Sequence, residues 1–318
     1  MKYFVTGGAG FVGSNMVDRL LELGHEVIAY DNGSTGVERF LKRAKENRRF
    51  QLIWGDILDL AKLTEAMTGC DFVFHFAANA DIRDNLNHPE FVFEQNAKGT
   101  FCVLEAMRAN NIKRIAFSST GSVYGEPKVF PTPEDAPFPI QTSLYAASKA
   151  YGENMLTAYC EGYGFTCYVF RFVSLLGERY PHGHVFDFVR SLLKDPSKLR
   201  ILGDGHQRKS YLYIGDCIRA ILTVVETVGD GIHIYNLGTD EYCEVRDSAN
   251  WIAARMGVSP TFEFAGGQRG WVGDSPFIYL DTQKIRSLGW KPTLTIQQAV
   301  ERTVDYLMEN AWLLEVRK

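Results

Sequence analysis

The stretch Thr6-Gly7-Gly8-Ala9-Gly10-Phe11-Val12-Gly13 decides the fold. It follows an apolar, strand-like run and leads into a helical pattern, and its glycines at 7, 10 and 13 have the G-x-x-G-x-x-G spacing. In that spacing the first glycine permits a tight turn, the second lets backbone N–H groups approach a pyrophosphate, and the third allows close helix–sheet packing. The helix N-terminus adds unpaired donors and the positive end of a dipole. The stretch therefore predicts a strand–turn–helix unit that binds a dinucleotide.

Asp31 closes the second predicted strand, 18 residues after Gly13, and indicates which dinucleotide is bound. A carboxylate at this point accepts hydrogen bonds from the adenosine ribose hydroxyls and would repel a 2′-phosphate. The following residues, Asn32-Gly33-Ser34-Thr35-Gly36, contain no Arg or Lys that could hold such a phosphate. We therefore expect NAD rather than NADP.

Short apolar runs alternate with longer helical patterns through the first half of the chain. Strands are predicted over 2–6, 26–30, 50–53, 71–76, 113–118 and 165–172, and helices over 11–23, 88–109 and 143–163. Such crossovers produce a parallel sheet covered on both faces, here an α/β fold with a doubly wound Rossmann sheet. We assign residues 1–172 to the NAD-binding Rossmann domain. Residues 173–318 are assigned mainly to a smaller C-terminal substrate-binding lobe, interleaved with the last Rossmann elements.

The composition excludes several classes of protein. The chain has 318 residues, 46% of them hydrophobic and 23% charged, and a net charge of -4, so it lacks the basic character of a general nucleic-acid binder. No apolar run reaches the roughly 18 residues that a membrane span needs, and no signal peptide is evident. The six cysteines have no metal-site or redox spacing and are expected to be buried free thiols; His182 and His184 are expected in a loop without a third ligand. We expect a cytoplasmic enzyme with no metal site.

Many ordered motifs along nearly the whole chain resemble one family, the extended short-chain dehydrogenases/reductases. The motifs are TGGAGFVG at 6–13, DNGSTG at 31–36, GDILD at 55–59, HFAANADIR at 75–83, QNAKGT at 95–100, SSTGSVYGE at 118–126, YAASK at 145–149, GDGHQRKSYLYIGD at 203–216, NLG at 236–238 and LGWKP at 288–292. Within that family the chain resembles the NAD-dependent nucleotide-sugar epimerases and dehydratases. The resemblance is greatest to the UDP-hexose 4-epimerases, which interconvert UDP-glucose and UDP-galactose.

The resemblance implies a set of residues that hold NAD. Asp56 and Ile57 would contact the adenine, Phe76, Ala77 and Ala78 would line the cofactor, and Asn96 would steady the loop near the active site. The remaining implied contacts are Gly7, Gly10, Phe11, Val12, Asp31, Asn32, Ser34, Thr35, Gly36, Ser118, Tyr145 and Lys149.

Tyr145, Lys149 and Thr120 are the predicted catalytic residues. Tyr145 and Lys149 lie four apart on a predicted helix and so share one face. A free tyrosine has a pKa of about 10, so its ionisation at pH 7 costs about 4 kcal/mol. A nearby ammonium and a positive nicotinamide ring favour the phenolate that a general base requires. The dehydratases of the family follow this Thr with an acid pair, whereas this chain has Gly121 and Ser122, which favours epimerisation.

The sugar-nucleotide contacts are implied by the resemblance alone. They are Thr120, Ser174, His184, Val185, Arg208, Lys209, Tyr211, Arg269 and Asp274. Arg208 or Lys209 would pair with the diphosphate, although these cations and Arg269 could also be solvated surface charges. Relatives often have Asn at Ser174, a polar residue at Ala80 and Arg at Trp271. The sugar thus stays open between hexose, N-acetylhexosamine and uronate, and a dehydratase or reductase is the alternative activity.

Two of the predicted helices, 88–109 and 143–163, resemble the pair that forms a four-helix bundle across a twofold axis in this family. A homodimer is therefore expected. The apolar side chains that would serve either this interface or the core are Phe91, Val92, Phe101, Leu104, Met107, Leu144, Met155 and Tyr159.

Overall fold

The structure, a computed structural model, describes residues 1–80, 86–137, 140–267, 269–270 and 277–316. The strands are β1 (Lys2–Thr6), β2 (Glu26–Asp31), β3 (Phe50–Trp54), β4 (Phe72–His75), β5 (Arg114–Thr120), β6 (Thr166–Phe172), β7 (Ser174–Leu176), β8 (Lys198–Ile201), β9 (Arg208–Lys209), β10 (Tyr211–Tyr213), β11 (Ile232–Leu237), β12 (Cys243–Glu244), β13 (Thr261–Phe264) and β14 (Phe277–Ile278). The α-helices are α1 (Phe11–Glu22), α2 (Lys42–Lys45), α3 (Leu60–Ala66), α4 (Pro89–Val92), α5 (Gly99–Ala109), α6 (Leu144–Tyr163), α7 (His184–Lys194), α8 (Ile214–Thr227), α9 (Val245–Met256), α10 (Gln283–Arg286), α11 (Ile296–Glu309) and α12 (Leu313–Val316).

A seven-stranded sheet with the order β11-β6-β5-β4-β1-β2-β3 forms the centre of the molecule. All its strand pairs are parallel. Strands β4 and β6 are buried along their whole length, as their largely apolar sequences predict. One face packs against α1 and α8, the other against α5 and α6. The predicted doubly wound Rossmann sheet is confirmed.

The second half of the chain also contributes to this sheet. Strand β11 pairs with β6 from Ile232↔Cys167 to Leu237↔Phe172, and no strand was predicted there. The rest of the second half builds three small sheets, β10-β7, β12-β9-β14 and β13-β8. Helices α7, α9 and α11 cover a separate apolar cluster of this lobe. Strand β7 directly follows β6, so this lobe begins at the carboxyl end of a central strand.

Two helical predictions need correction. The single helix expected over 88–109 is divided into α4, a π-helix over Phe93–Lys98, and α5. His184 is the first residue of α7 rather than part of a loop. All six cysteines are buried free thiols, as predicted. Among the described residues, no helix is long and apolar enough to cross a membrane.

Candidate active site

The glycine turn after β1 forms an anion-binding seat. Gly7 has φ +66, and a Cβ there would lie 2.7 Å from the Ala77 nitrogen. A Cβ on Gly13 would lie 2.1 Å from the Gly7 oxygen, so α1 approaches the turn more closely than any side chain permits. Gly10 caps α1, whose first turn contains no acidic residue. The unpaired N–H groups at Phe11 and Val12 and the helix dipole suit a pyrophosphate.

Asp31 lies at the end of β2 and is fixed by the backbone. One carboxylate oxygen accepts from the Ala9 N–H at 3.0 Å and the other from the Gly33 N–H at 2.8 Å. Burial raises the pKa of Asp31, while these two N–H donors oppose the shift. A Cβ on Gly36 would meet the carboxylate at 2.4 Å, so this glycine admits the loop against Asp31. Each oxygen keeps a lone pair for a ribose hydroxyl, and the seat therefore fits NAD.

The residues expected around the adenine lie beside Asp31. Asn32 Nδ2 donates to Asp56 Oδ2 at 3.0 Å, and the other Asp56 oxygen accepts from the Leu58 N–H at 2.9 Å. The side chain of Ile57 is buried under α5, close to Gly99. Ser34 donates its N–H to Asn32 Oδ1, and Thr35 follows in the same exposed loop. Phe76, Ala77 and Ala78 directly follow β4 and are only partly buried, as a cofactor wall requires.

The predicted catalytic residues lie on two elements at the carboxyl edge of the sheet. Thr120 ends β5, where its hydroxyl accepts from the Ser122 N–H at 3.2 Å and keeps its own proton for donation. Ser118, two residues earlier, donates to the His75 oxygen at 3.3 Å. Tyr145 lies in the first turn of α6, which Ser143 caps. The positive end of the α6 dipole therefore lies near the phenol.

The protein alone does not make Tyr145 acidic. Burial raises the pKa of its phenol to about 12, so ionisation at pH 7 costs about 7 kcal/mol rather than the 4 expected from the sequence. Burial also lowers the pKa of Lys149 to about 7, against the charge of Glu153. The Lys149 ammonium lies 4.7 Å from the centroid of the Phe117 ring. The phenolate thus requires further positive charge, which an oxidised nicotinamide carries.

A buried ion pair behind Lys149 was not predicted from the sequence. Arg171 on β6 binds both carboxylate oxygens of Glu153, with Nη2–Oε2 at 2.7 Å and Nε–Oε1 at 3.0 Å. Ser119 donates to Glu153, and Arg171 also donates to the Tyr124 hydroxyl at 2.7 Å. Since a buried carboxylate needs such partners, the pair holds α6 against β6. The sequence signal that could have indicated this pair is the presence of Glu153 and Arg171 as charged residues within otherwise apolar patterns.

The residues predicted to bind the sugar nucleotide divide into two groups. Near the start of α7, the charge of Lys209 adds to burial in lowering the pKa of His184 to about 3. The His184 ring stacks on Tyr211 with centroids 4.8 Å apart, and its Nε2 lies 2.7 Å from Ser248 Oγ. Val185 is fully buried, so only its main chain could reach a ligand. Ser174 is exposed at the start of β7, beside Tyr211 on β10.

The other group lies further out. Arg208 stacks its guanidinium 4.1 Å from the centroid of the Phe277 ring. Arg269 forms an exposed ion pair with Glu126, which connects it to the loop after β5. Asp274, the remaining predicted contact, lies outside the described residues. The structure therefore brings His184 and Tyr211 into contact, with the charge of Lys209 acting on His184. The Arg208 and Arg269 side chains contact Phe277 and Glu126 instead.

A cavity of about 950 Å³ lies behind α1 and does not belong to this site. Among its walls are the ion pairs Arg179–Asp18 and Arg302–Glu178. None of the described residues predicted for the site lines this cavity, so we treat it as a charged groove rather than as the sugar-nucleotide pocket.

Comparison with known proteins agrees with the geometry. The family described as "NAD dependent epimerase/dehydratase family" matches residues 3–238. A UDP-glucose 4-epimerase from Mycolicibacterium smegmatis is 32% identical over 319 residues, covering 98% of this chain and 100% of the relative. The crystal structure of a Thermotoga maritima UDP-glucose 4-epimerase with UDP-glucose is 31% identical, with a TM-score of 0.88 and coverage of 98% and 100%. A Streptomyces venezuelae dTDP-glucose 4,6-dehydratase double mutant with NAD bound is 28% identical, with a TM-score of 0.91 and full coverage of both chains.

The chain belongs to the NAD-dependent epimerase/dehydratase family. It is an enzyme that uses NAD, and its full-length relatives place it among the isomerases of that family.

Proposed function

We propose that this chain is a nucleotide-sugar 4-epimerase that interconverts UDP-glucose and UDP-galactose. Full-length similarity to UDP-glucose 4-epimerases supports the nucleotide and the sugar. The site residues have the chemistry that the reaction needs, namely a proton acceptor at Tyr145, a hydrogen-bonding hydroxyl at Thr120 and a buried ammonium at Lys149.

The backbone at Gly121 is the observation that carries epimerisation over dehydration. A Cβ there would lie 3.2 Å from Ile278 Cγ2 and 3.3 Å from Leu280 Cδ1, so the position is tightly packed and holds no acid. Ser122, the next residue, has no group that titrates near pH 7. Elimination of water needs an acid to protonate the leaving hydroxyl, and neither residue supplies one. Epimerisation needs only a base for the sugar hydroxyl and a reversible oxidant.

The residues act as follows in this proposal. Tyr145 removes the proton of the sugar 4-hydroxyl while Thr120 donates a hydrogen bond to the same oxygen. Lys149, four residues along α6, holds the nicotinamide ribose and, when protonated, adds positive charge to the site. NAD, when bound by the glycine turn and Asp31, supplies a reversible acceptor for the hydrogen on C4. The transient 4-keto sugar would turn its other face to the bound NAD, regain the hydrogen on C4 from that side and take back its O4 proton from Tyr145, so that C4 is inverted with no net oxidation.

Purified protein mixed with UDP-glucose or UDP-galactose, without added NAD, tests the proposal. Chromatography should show both sugars approaching one equilibrium ratio from either side, with no lasting change in reduced-nicotinamide absorbance. A 4-keto-6-deoxy product would instead identify a dehydratase, the activity of the Streptomyces neighbour. If only UDP-N-acetylhexosamines or only UDP-uronates were interconverted, the enzyme would be assigned to that class of sugar instead. No conversion of any UDP-sugar would contradict the proposal.

We also propose that the enzyme is a homodimer. Phe93, Phe101, Leu144 and Tyr151 are between 38% and 61% exposed on the π-helix, α5 and α6, whereas the predicted Val92, Leu104, Met107 and Tyr159 are buried in the core. Covering these four side chains would stabilise a two-helix interface. Light scattering at micromolar concentration should give twice the chain mass for wild type and Met308→Glu, and a monomer for Phe93→Glu. A monomeric wild type would contradict the dimer. The buried free cysteines suit a reducing compartment such as the cytoplasm.

A further inference from the structure

A buried histidine connects three elements beneath the active site. His75 is the last residue of β4 and is fully buried. Its Nδ1 lies 2.7 Å from Thr6 Oγ1 at the end of β1, and its Nε2 lies 3.1 Å from Thr100 Oγ1 on α5. A polar ring inside an apolar strand requires partners on both nitrogens, and both are present.

The neighbouring hydrogen bonds fix which atom donates in the bonds between His75 and its two threonine partners. Thr100 donates its only hydroxyl proton to the Asn96 oxygen at 2.6 Å, so His75 Nε2 must be the donor to Thr100. His75 Nδ1 is then the acceptor, and Thr6 donates to it. The Thr6 oxygen in turn accepts from the Ala77 N–H at 3.2 Å. Burial, with the charge of Lys149 on α6, lowers the pKa of His75 to about 3, which keeps the ring neutral.

The two ends of this series of hydrogen bonds reach the two halves of the active site. At one end, Thr6 and Ala77 border Gly7 of the glycine turn. At the other, Asn96 Oδ1 accepts from the Asn79 N–H at 2.7 Å, and Asn96 Nδ2 donates to Ser148 Oγ at 2.9 Å. Ser148 donates to the Tyr145 main-chain oxygen at 2.8 Å. Hydrogen bonds therefore connect the turn to the residue proposed as base, passing from the main chain to the side chain of Asn96.

We propose that His75 is a positioning residue that, through its Nε2–H tautomer, fixes the distance between the glycine turn and the first turn of α6. The part of this that concerns catalysis rests on the proposed function. A hydrogen-bonded chain with one permitted direction has one low-energy arrangement, and it would hold the cofactor and Tyr145 in register. His75 itself exchanges no proton in the reaction.

Thr100→Val tests this role because it keeps the shape of the side chain and removes the hydroxyl that receives Nε2–H. We expect kcat to fall roughly 10- to 100-fold through misplacement of Tyr145. KM for the UDP-sugar should change less than about threefold, since no substrate contact is lost, and Thr100→Ser should restore most of kcat. Thr303→Val is the matched control, because Thr303 is also buried and donates to a carbonyl four residues earlier at 2.6 Å.

Nitrogen-15 NMR of the imidazoles in the NAD-bound protein, assigned with His75→Gln, tests the tautomer without an enzyme assay. His75 should show the Nε2–H form and no titration from about pH 5 to about pH 9, where an ordinary histidine changes charge. An Nδ1–H form, titration in that range, or unchanged kcat in a folded Thr100→Val variant would each overturn the proposal. If wild type converts no UDP-sugar, the proposed function fails while the NMR result still decides the hydrogen-bond chain.

Discussion

The dinucleotide seat is formed by the glycine turn and Asp31, and the wall expected to hold the sugar nucleotide is formed by His184, Lys209 and Tyr211. The two are built in opposite ways. The seat consists mainly of backbone, since Gly7, Gly13 and Gly36 lie where any Cβ would collide with the chain. The wall consists of side chains, with Lys209 near His184 and the His184 ring on Tyr211. A glycine that close packing requires can be recognised in the sequence from its spacing. The direction of side chains on short strands cannot be predicted in this way, because it depends on the fold of the whole lobe.

Arg208 and Lys209 show the consequence most clearly. They are adjacent on β9, and the sequence gives no reason to prefer one cation over the other. Neighbouring residues on a strand point to opposite sides. The structure directs the Arg208 guanidinium onto the partly buried aromatic ring of Phe277, whereas the charge of Lys209 acts on His184 at the start of α7.

Tyr145 is the proposed base, and its substitution should have the largest effect. Tyr145→Phe removes the proton acceptor and leaves the ring, so kcat should fall about 10²- to 10⁴-fold. Thermal stability and the amount of NAD that copurifies should stay close to wild type, because the glycine turn and Asp31 are untouched. Kinetic assays and cofactor analysis would measure this. A kcat within tenfold of wild type would remove Tyr145 from the mechanism.

Gly13→Ala tests the backbone-built seat. The added Cβ would meet the Gly7 oxygen at 2.1 Å, and the turn must open to relieve the clash. We expect about 100-fold weaker NAD binding, equivalent to about 3 kcal/mol. The control is Gly162→Ala, where nothing lies within 4 Å of the new Cβ; on α6 it should raise stability by about 0.5 to 1 kcal/mol. Equal cofactor content in both variants, by absorbance after acid release, would show that the seat tolerates side chains.

The same contrast explains which parts of the fold could be predicted from the sequence. The first six central strands were found because each is a short apolar run between helical patterns. Strand β11 was missed because His233 and Asn236 interrupt the apolar residues of Ile232–Leu237. The π-helix over Phe93–Lys98 has no compositional signal, since it differs from an α-helix only in hydrogen-bond register.

The candidate site divides along the same line. The glycines, Asp31 and the Tyr145–Lys149 spacing are local patterns, so they can be predicted from the sequence alone. The pair of Glu153 and Arg171 and the contacts of His75 join residues on different elements, so a sequence shows only a polar residue in an apolar run. The raised pKa of Tyr145 was likewise hidden, because burial of a helix face depends on what packs over it.

Lys209→Ala tests the side-chain-built wall. If the Lys209 ammonium pairs with the diphosphate, KM for the UDP-sugar should rise about 10- to 100-fold, since hydrogen bonds to charged groups contribute about 1.5 to 3 kcal/mol. Arg208→Ala, one residue earlier, should change KM less than about threefold, because its guanidinium packs on Phe277. Steady-state kinetics on the two variants would decide. A larger effect at Arg208 would reverse the assignment of the cation.

The prediction for Lys149 concerns the pH dependence of stability rather than activity. Its pKa is about 7 in the folded, cofactor-free protein against 10.5 for the ordinary side chain. Between these values the unfolded chain binds the extra proton, so the free energy of unfolding contributed by Lys149 rises as pH increases. Below pH 7 both states are protonated, and the cost of burying the charge is then greatest.

Lys149→Met removes that cost. The variant should therefore be more stable than wild type near pH 6, and its advantage should shrink steadily as the pH approaches 10. Urea unfolding of the cofactor-free proteins across this range measures the difference, with the exposed Lys128→Met as the control that should show no such trend. A constant difference between wild type and Lys149→Met would mean that Lys149 stays fully charged inside the protein. In that case the ammonium, and not only an oxidised nicotinamide, would be available to lower the pKa of Tyr145.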